Sequence, residues 1–137
     1  MADKSNASVI NEFRDNEGRV GGVFEDITLA IITTVGAKTG RCHTVPLGYL
    51  VIDSQPLIIA TWRGRPKHPA WYLNIVKNPE VTVEVGTETY QAFARITEGQ
   101  ERDRLFAKAA EMIPEVGASQ ARTTRLIPVV TLHRKTD

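Results

Sequence analysis

A chain of 137 residues accommodates one compact domain, able to bury about two thirds of the surface its unfolded form exposes. Its formal net charge of +1 supplies no global field for nucleic acid, so any cationic cluster must act locally, on a discrete anionic ligand. The lone cysteine, Cys42, excludes an internal disulfide, Met1-Ala2-Asp3-Lys4 lacks the apolar run of a secretory signal, and no stretch approaches the ~20 apolar residues of a membrane span, so the expected location is the cytoplasm.

In chain order, Ala7 to Phe13 carries Val9, Ile10 and Phe13 on one side before Asp15-Asn16-Glu17-Gly18 breaks the pattern, which predicts a leading helix within residues 1–20. Leu29 to Thr34 is a β-branched apolar run, and Thr44 to Ile52 resumes a strand pattern beyond a glycine-rich cationic turn. The turn Asp53-Ser54-Gln55-Pro56 leads into a third strand, Leu57 to Thr61. Pro69 and Asn78-Pro79 frame a helix over Ala70 to Lys77, with Trp71 and Ile75 sharing a face. Val81, Val83 and Val85 alternate with polar residues, and Gly86-Thr87-Glu88 turns the chain into Tyr90 to Ile96, a hairpin. Thr97 followed by Gln100 reads as a capping box before a helix from Glu101 to Met112. Ile127 to Leu132 closes the chain as a strand, with Pro128 confined to an edge or a strand start.

Six short strands with helices inserted between them predict a curled, mainly antiparallel sheet, since a parallel doubly wound sheet needs a crossover helix after nearly every strand. The expected fold is α+β, a small barrel with short flanking helices. No linker, repeat or low-complexity tract divides it, so a single domain spans residues 1–137.

Two strand-end loops concentrate positive charge. Thr33 to Arg41 contains Gly36, Lys38, Gly40 and Arg41, and the chain from Arg63 to Asn74 contains Arg63, Gly64, Arg65 and Lys67 ahead of Trp71 and Tyr72. Glycines permit close backbone approach, the cations offer charge-assisted hydrogen bonds to phosphate or carboxylate, and the aromatic pair is placed to cover a flat ring. Together the loops predict a site for an anionic cofactor. A Walker-type phosphate loop does not fit, because Ala37 and Ile31 occupy its glycine positions and a strand follows.

Other chemistries lack their residues. His43, His68 and His133 are dispersed without partners at metal-ligand spacing, so no metal site is expected. His68 has two readings, as a donor to a ligand or as a loop-bonding side chain. Cys42 lies between Arg41 and His43, but side chains alternate along a strand, so adjacency does not activate it. Ser119 lacks a nucleophile elbow and triad partners, which disfavours hydrolysis.

The order of several strings resembles the deazaflavin-dependent nitroreductase family, split β-barrel enzymes that use coenzyme F-420. They are Phe13-Arg14, Gly21-Gly22 and Phe24; the Thr33-to-Arg41 loop with Thr44-Val45-Pro46-Leu47; His68 to Asn74; Asn78-Pro79-Glu80-Val81; and Arg122-Thr123-Thr124-Arg125 with Ile127-Pro128-Val129-Val130. The resemblance covers nearly the whole chain. It implies that Ala37, Lys38 and Thr39 hold the cofactor's acidic portion, that Thr44, Val45, Pro46, Ala60 and Thr61 line the deazaflavin, and that Pro69, Trp71 and Tyr72 shape the same pocket. His43 stands where the family commonly has arginine, and Thr61-Trp62-Arg63-Gly64 where it often has Ser-Lys-Gly-Gly. These positions join the implied cofactor site, with Arg63 and Arg65 in place of the lost lysine charge.

The resemblance further implies hydride transfer from reduced F-420 to a small electrophilic acceptor, with no dedicated catalytic residue. Substrate-side tyrosines of the nitroreductase type member are absent here at Ile113, Val116 and Ser119, which shifts the expectation toward quinones or conjugated enones over nitroimidazoles. An FMN-dependent oxidoreductase on the same barrel, and a non-catalytic carrier of cofactor or lipid, are the alternatives. Peripheral membrane contact and oligomeric state stay open.

Overall fold

The computed structural model describes residues 6–20 and 28–135, so the Gly21-Gly22 and Phe24 positions lie outside the described residues. Seven strands form one antiparallel sheet: β1 (Leu29–Val35), β2 (Cys42–Gly48), β3 (Leu50–Ile52), β4 (Gln55–Ile59), β5 (Glu80–Val85), β6 (Glu88–Ile96) and β7 (Val129–Arg134). Four helices flank it: α1 (Asn6–Asp15), α2 (Ala70–Lys77), α3 (Gly99–Met112) and α4 (Pro114–Ala121).

The strand order is β2-β1-β5-β6-β7-β4-β3. β2 and β3 therefore occupy opposite edges of the sheet, although Tyr49 alone separates them in the chain. One residue advances the backbone only about 3.8 Å, so the two edges must be brought together and the sheet curls into a barrel. Its seam is closed by the covalent chain, with β2 brought close to β4 and the Tyr49 amide donating to the Thr28 carbonyl at 2.8 Å. This is the expected α+β split barrel.

Strand alternation sorts the apolar side chains into three groups. Ala30 and Ile32 of β1, Ile58 of β4, Val81 and Val83 of β5 and Val130 and Leu132 of β7 fill the barrel, and α2 adds Trp71 and Ile75 to them. Leu57 and Val129, on the opposite faces of β4 and β7, pack with Leu50 and Ile52 against Leu105 and Ala109 of α3 and Val116 of α4. Leu29 and Ile31 receive Val9 and Phe13 of α1. A bidentate Arg14–Glu84 pair, at 3.0 and 2.8 Å, ties α1 to β5 as well.

Several expectations need correction. The strand from Thr44 to Ile52 divides at Tyr49, giving seven strands instead of six, because the chain changes sheet edge there. The turn before β4 contracts to Asp53 and Ser54, both left-handed, and Pro56 enters the strand. The capping box is not made: the Thr97 hydroxyl donates to the Val129 carbonyl at 2.8 Å, and the helix begins at Gly99. α4 was not expected at all. The last strand starts at Val129, with Pro128 just before it accepting from the Ala60 amide.

A buried cation anchors the helical layer. Arg102 on α3 is 6 % exposed, donates twice to the Ile127 carbonyl at 3.1 and 2.8 Å and once to Gln120 Oε1 at 3.0 Å, and lies over the Phe106 ring. Gln120 in turn accepts from the Ile127 amide and donates to the Arg125 carbonyl. Residues 120–127 are thereby held between α3 and β7. Replacing Arg102 by Ala strands these acceptors in a dry environment and is expected to cost about 3 kcal/mol, read as a lower urea midpoint; a shift within error would show that the network does not support the fold.

Candidate functional site

The first cationic loop is shaped from behind. The Gly36 amide donates to the Arg41 carbonyl at 2.7 Å, the Gly40 amide to the Gly36 carbonyl at 3.0 Å, and Gly40 takes a left-handed φ of 73°. A Cβ on Gly36 would lie 3.0 Å from both the Arg41 carbonyl and His43 Nε2, so only glycine fits without displacing them. Buried Asn74 of α2 completes the support, accepting from the Ala37 amide and donating to Thr34 Oγ1, each at 3.0 Å. Lys77 donates to the Ala37 carbonyl at 3.0 Å. With its backbone tied down, the loop presents Lys38, which is exposed and makes no ion pair among the described residues.

The second loop begins with a left-handed turn over Trp62, Arg63 and Gly64, whose φ values are 40°, 55° and 77°. Two of the three carry a Cβ in a region that costs of order 1–3 kcal/mol per residue, so the surroundings must hold them there. Gly64 is the packed point of the turn, since a Cβ on it would collide with the Ser119 backbone and lie 2.8 Å from Arg122 Cβ. His68 is resolved toward its loop role. Its Nδ1 lies 3.2 Å from Arg125 Nη1, its ring packs 4.7 Å from that of Tyr72, and burial together with the neighbouring Arg125 charge pushes its pKa below the ordinary value. His68 is thus neutral and accepts from Arg125.

Between the loops lies a cavity of about 880 Å³, within the range of small-molecule sites. Ala37, Lys38 and Thr39 of the first loop, His43, Val45, Pro46 and Leu47 of β2, and Thr61, Trp62, Arg63, Pro69 and Trp71 from the second loop and α2 line it. Among the described lining residues the charged side chains are Lys38 and Arg63, and no carboxylate is present. The amino end of α2, at Pro69 and Ala70, adds the partial positive charge of a helix terminus. A flat, apolar ring with an anionic extension fits this wall. Leu29, Gly48, Ile59 and Thr61 also line a smaller cavity of about 170 Å³, together with Leu50, Ile113, Glu115 and Val116. The two spaces meet at the barrel seam.

Several anticipated residues stand outside these walls. Thr44 instead shares a 3.3 Å hydroxyl contact with Thr33, and Ala60 is buried with its carbonyl accepting from Arg125. Gly64 and Tyr72 support the second loop without lining the cavity. Ile113 and Val116 line the smaller cavity, whereas Ser119 is fully buried beneath Gly64 and its hydroxyl contacts Glu115 at 3.4 Å. Arg65 lies over the Trp62 ring at 4.7 Å. Sequence reasoning missed Gly48, Leu29 and Ile59 at the junction, and the supporting parts of Asn74 and Arg125. No composition signal separates those polar side chains from exposed ones. Among the described residues no cluster of His, Cys, Asp and Glu could hold a metal, and no helix is long and apolar enough to cross a membrane.

Comparison with known proteins follows the same outline. A family described as F420H(2)-dependent quinone reductase matches residues 7–134. An F420H(2)-dependent quinone reductase of Mycobacterium tuberculosis is 32% identical over 129 residues, covering 90% of this chain and 85% of its own. A solved F420-H2 dependent reductase, FDR-A, superposes with a TM-score of 0.70 at 36% identity, covering 77% of this chain and 94% of its own. A domain-swapped dimer superposes at 0.72 and 35% identity, over 90% and 94% respectively. The haem storage protein HutZ of Vibrio cholerae, at 18% identity and a TM-score of 0.60, shares the fold alone. Nothing in these relatives supports the FMN alternative, since the family and the reductases it groups are named for F420H(2).

Asn74 generates a test of how the first loop is held. Asn74→Ala removes the acceptor of the Ala37 amide and the partner of Thr34, and is expected to cost roughly 1–3 kcal/mol in chemical denaturation. Amide exchange at Ala37 should accelerate well beyond the change in global stability; protection equal to that of wild type would show that the loop is held by other contacts.

Proposed function

This chain belongs to the F420H(2)-dependent quinone reductase family, and from that membership we propose that its larger cavity binds coenzyme F-420 and its smaller one a quinone-type acceptor. The protein is an oxidoreductase whose cofactor is F-420, F420H(2) being the reduced form, and whose acceptor is a small molecule. The observation that carries the placement is a cavity lined by two cations and no carboxylate among its described residues, which shares Leu29, Gly48, Ile59 and Thr61 with a second, mostly apolar space bordered by Glu115.

In this reading Lys38 and Arg63 neutralise the cofactor's acidic portion, with the amino end of α2 adding to the favourable potential. Val45, Pro46 and Leu47 meet one face of the ring, while Trp62 and Trp71 limit its movement on the other side. Bound F-420 supplies a hydride equivalent. The protein's own contribution is alignment and exclusion of water, so no side chain need act as acid or base. Leu29, Gly48, Ile59 and Thr61, common to both cavities, set how closely acceptor and ring approach. Ile113 and Val116 give the acceptor an apolar wall without phenolic donors, which favours quinones over nitroimidazoles.

Titration with oxidised F-420 and, in parallel, FMN, followed by anaerobic addition of reduced F-420 and menadione, tests the reading. F-420 binding with quinone-dependent oxidation is expected; binding without oxidation would move the protein to a carrier role. Lys38→Ala should weaken F-420 about tenfold with little change in melting temperature, because the side chain is exposed and makes no ion pair among the described residues. Unchanged affinity would remove Lys38 from the site. Among acceptors, turnover should be faster with menadione than with a nitroimidazole, and the reverse order would overturn the assignment of the apolar annex.

A further inference from the structure

We propose that Arg125 is a positioning residue for the cofactor-side turn, clamping both ends of the left-handed Trp62–Gly64 segment, and that neutral His68 is part of the clamp. The inference rests on the F-420 reading of the larger cavity. Arg125 precedes β7 and lies far from the turn in sequence, but its guanidinium reaches both of the turn's flanks. Nη2 donates to the Ala60 carbonyl at 3.1 Å and to the Thr61 carbonyl at 2.8 Å, ahead of the turn. Nε donates to the Arg65 carbonyl at 2.7 Å, behind it, and Nη1 to His68 Nδ1 at 3.2 Å.

A planar guanidinium offers its donors in a fixed fork, so occupying them at once fixes the spacing between residues 60–61 and residue 65. Because one guanidinium holds both flanks close together, the three intervening residues must turn back on themselves, and they do so in the left-handed conformation at Trp62, Arg63 and Gly64. Those two residues line the cavity while Arg125 does not. Arg125 therefore acts on the cofactor through them. The helical layer holds Arg125 in turn, because its own carbonyl accepts from Gln120 at 2.7 Å and Gln120 is held by Arg102.

The contact to His68 makes the clamp sensitive to pH. Among the described residues, Arg125 and the Tyr72 ring are the groups in contact with His68. Protonation of Nδ1 would turn an acceptor into a donor and set two cations against each other at 3.2 Å. Because burial and Arg125 depress the His68 pKa, the sign is fixed: the clamp is intact above the ordinary histidine value and is lost as pH falls through the lower, folded value. Asparagine at position 68 places an amide oxygen where Nδ1 lies and accepts at every pH, which separates this effect from titration of the cofactor.

The experiment combines F-420 titration with hydrogen exchange in wild-type, Arg125→Met, Arg125→Lys and His68→Asn proteins. The Gly64 and Arg65 amides, which donate to the Thr61 and Trp62 carbonyls, report the turn directly without cofactor. Arg125→Met should accelerate exchange at both and weaken F-420 about tenfold, with less than about a twofold change in the KM for menadione. Arg125→Lys, a point charge in place of a fork, should recover only part of the loss. Lowering the pH from about 7.5 to about 5 should weaken binding more in wild type than in His68→Asn. Equal pH profiles, unaltered Gly64 and Arg65 exchange in Arg125→Met, or acceleration spread evenly over β5 and β6 would each overturn the clamp. Failure of the F-420 reading looks different: wild-type protein would not bind F-420, while Gly64 and Arg65 would still respond to Arg125→Met.

Discussion

The passage of the chain from β2 to β3 through a single residue is the constraint on which the rest of the structure depends. Because Tyr49 must connect opposite edges of a seven-stranded sheet, the sheet has to curl until those edges meet. They meet as neighbours in the covalent chain, without forming a continuous hydrogen-bonded ladder. That difference leaves a seam, and Leu29, Gly48, Ile59 and Thr61 beside it are the residues common to both cavities. The binding space is therefore a consequence of how the barrel closes, in keeping with the tendency of sites to form at the mouths of barrels.

Two half-buried or buried polar side chains convert this opening into a shaped site. Asn74 reaches from α2 to the β1–β2 loop, and Arg125 reaches from the segment before β7 to the loop after β4. Each directs hydrogen bonds to backbone groups of a loop, Asn74 to the Ala37 amide and Arg125 to the Ala60, Thr61 and Arg65 carbonyls, and adds one side-chain partner, Thr34 or His68. A loop carrying glycines and cations has little apolar area with which to hold itself, so hydrogen bonds from a rigid element are the available means. Arg102 repeats the device one layer further out, holding through Gln120 the segment on which Arg125 sits. The site is supported by a relay of polar contacts running from α3 to the cavity wall.

How much of this was legible depended on the range of the signal. Ala70 and Lys77 bound α2 as expected, because Pro69 and Asn78-Pro79 act within a few residues. The β5–β6 hairpin was equally clear, its alternation interrupted only by Gly86-Thr87, where Gly86 takes a φ of 60°. The capping box at Thr97 failed because the Val129 carbonyl, distant in sequence, captured its hydroxyl first. α4 gave little periodicity to read, with Val116 its sole buried apolar side chain and Gly117 in its middle. Of the anticipated cofactor residues, most line the cavity, since strand-end loops converge on a barrel mouth whatever their detailed path. Ser119 belonged to the right region but turned out to face the underside of Gly64.

By itself the sequence determined the α+β class, the cationic loops, their place at strand ends and, through the ordered motifs, the kinship with deazaflavin enzymes. These are properties of local propensity, alternation and motif order, which need no knowledge of what lies across the fold. Only the tertiary structure decided that Lys38 and Arg63 line one cavity, that Gly48 opens onto both cavities, and that Asn74 and Arg125 hold the loops. Each of those depends on partners distant in the sequence, and a charge or amide in a sequence looks the same whether it ends in water or on a buried carbonyl.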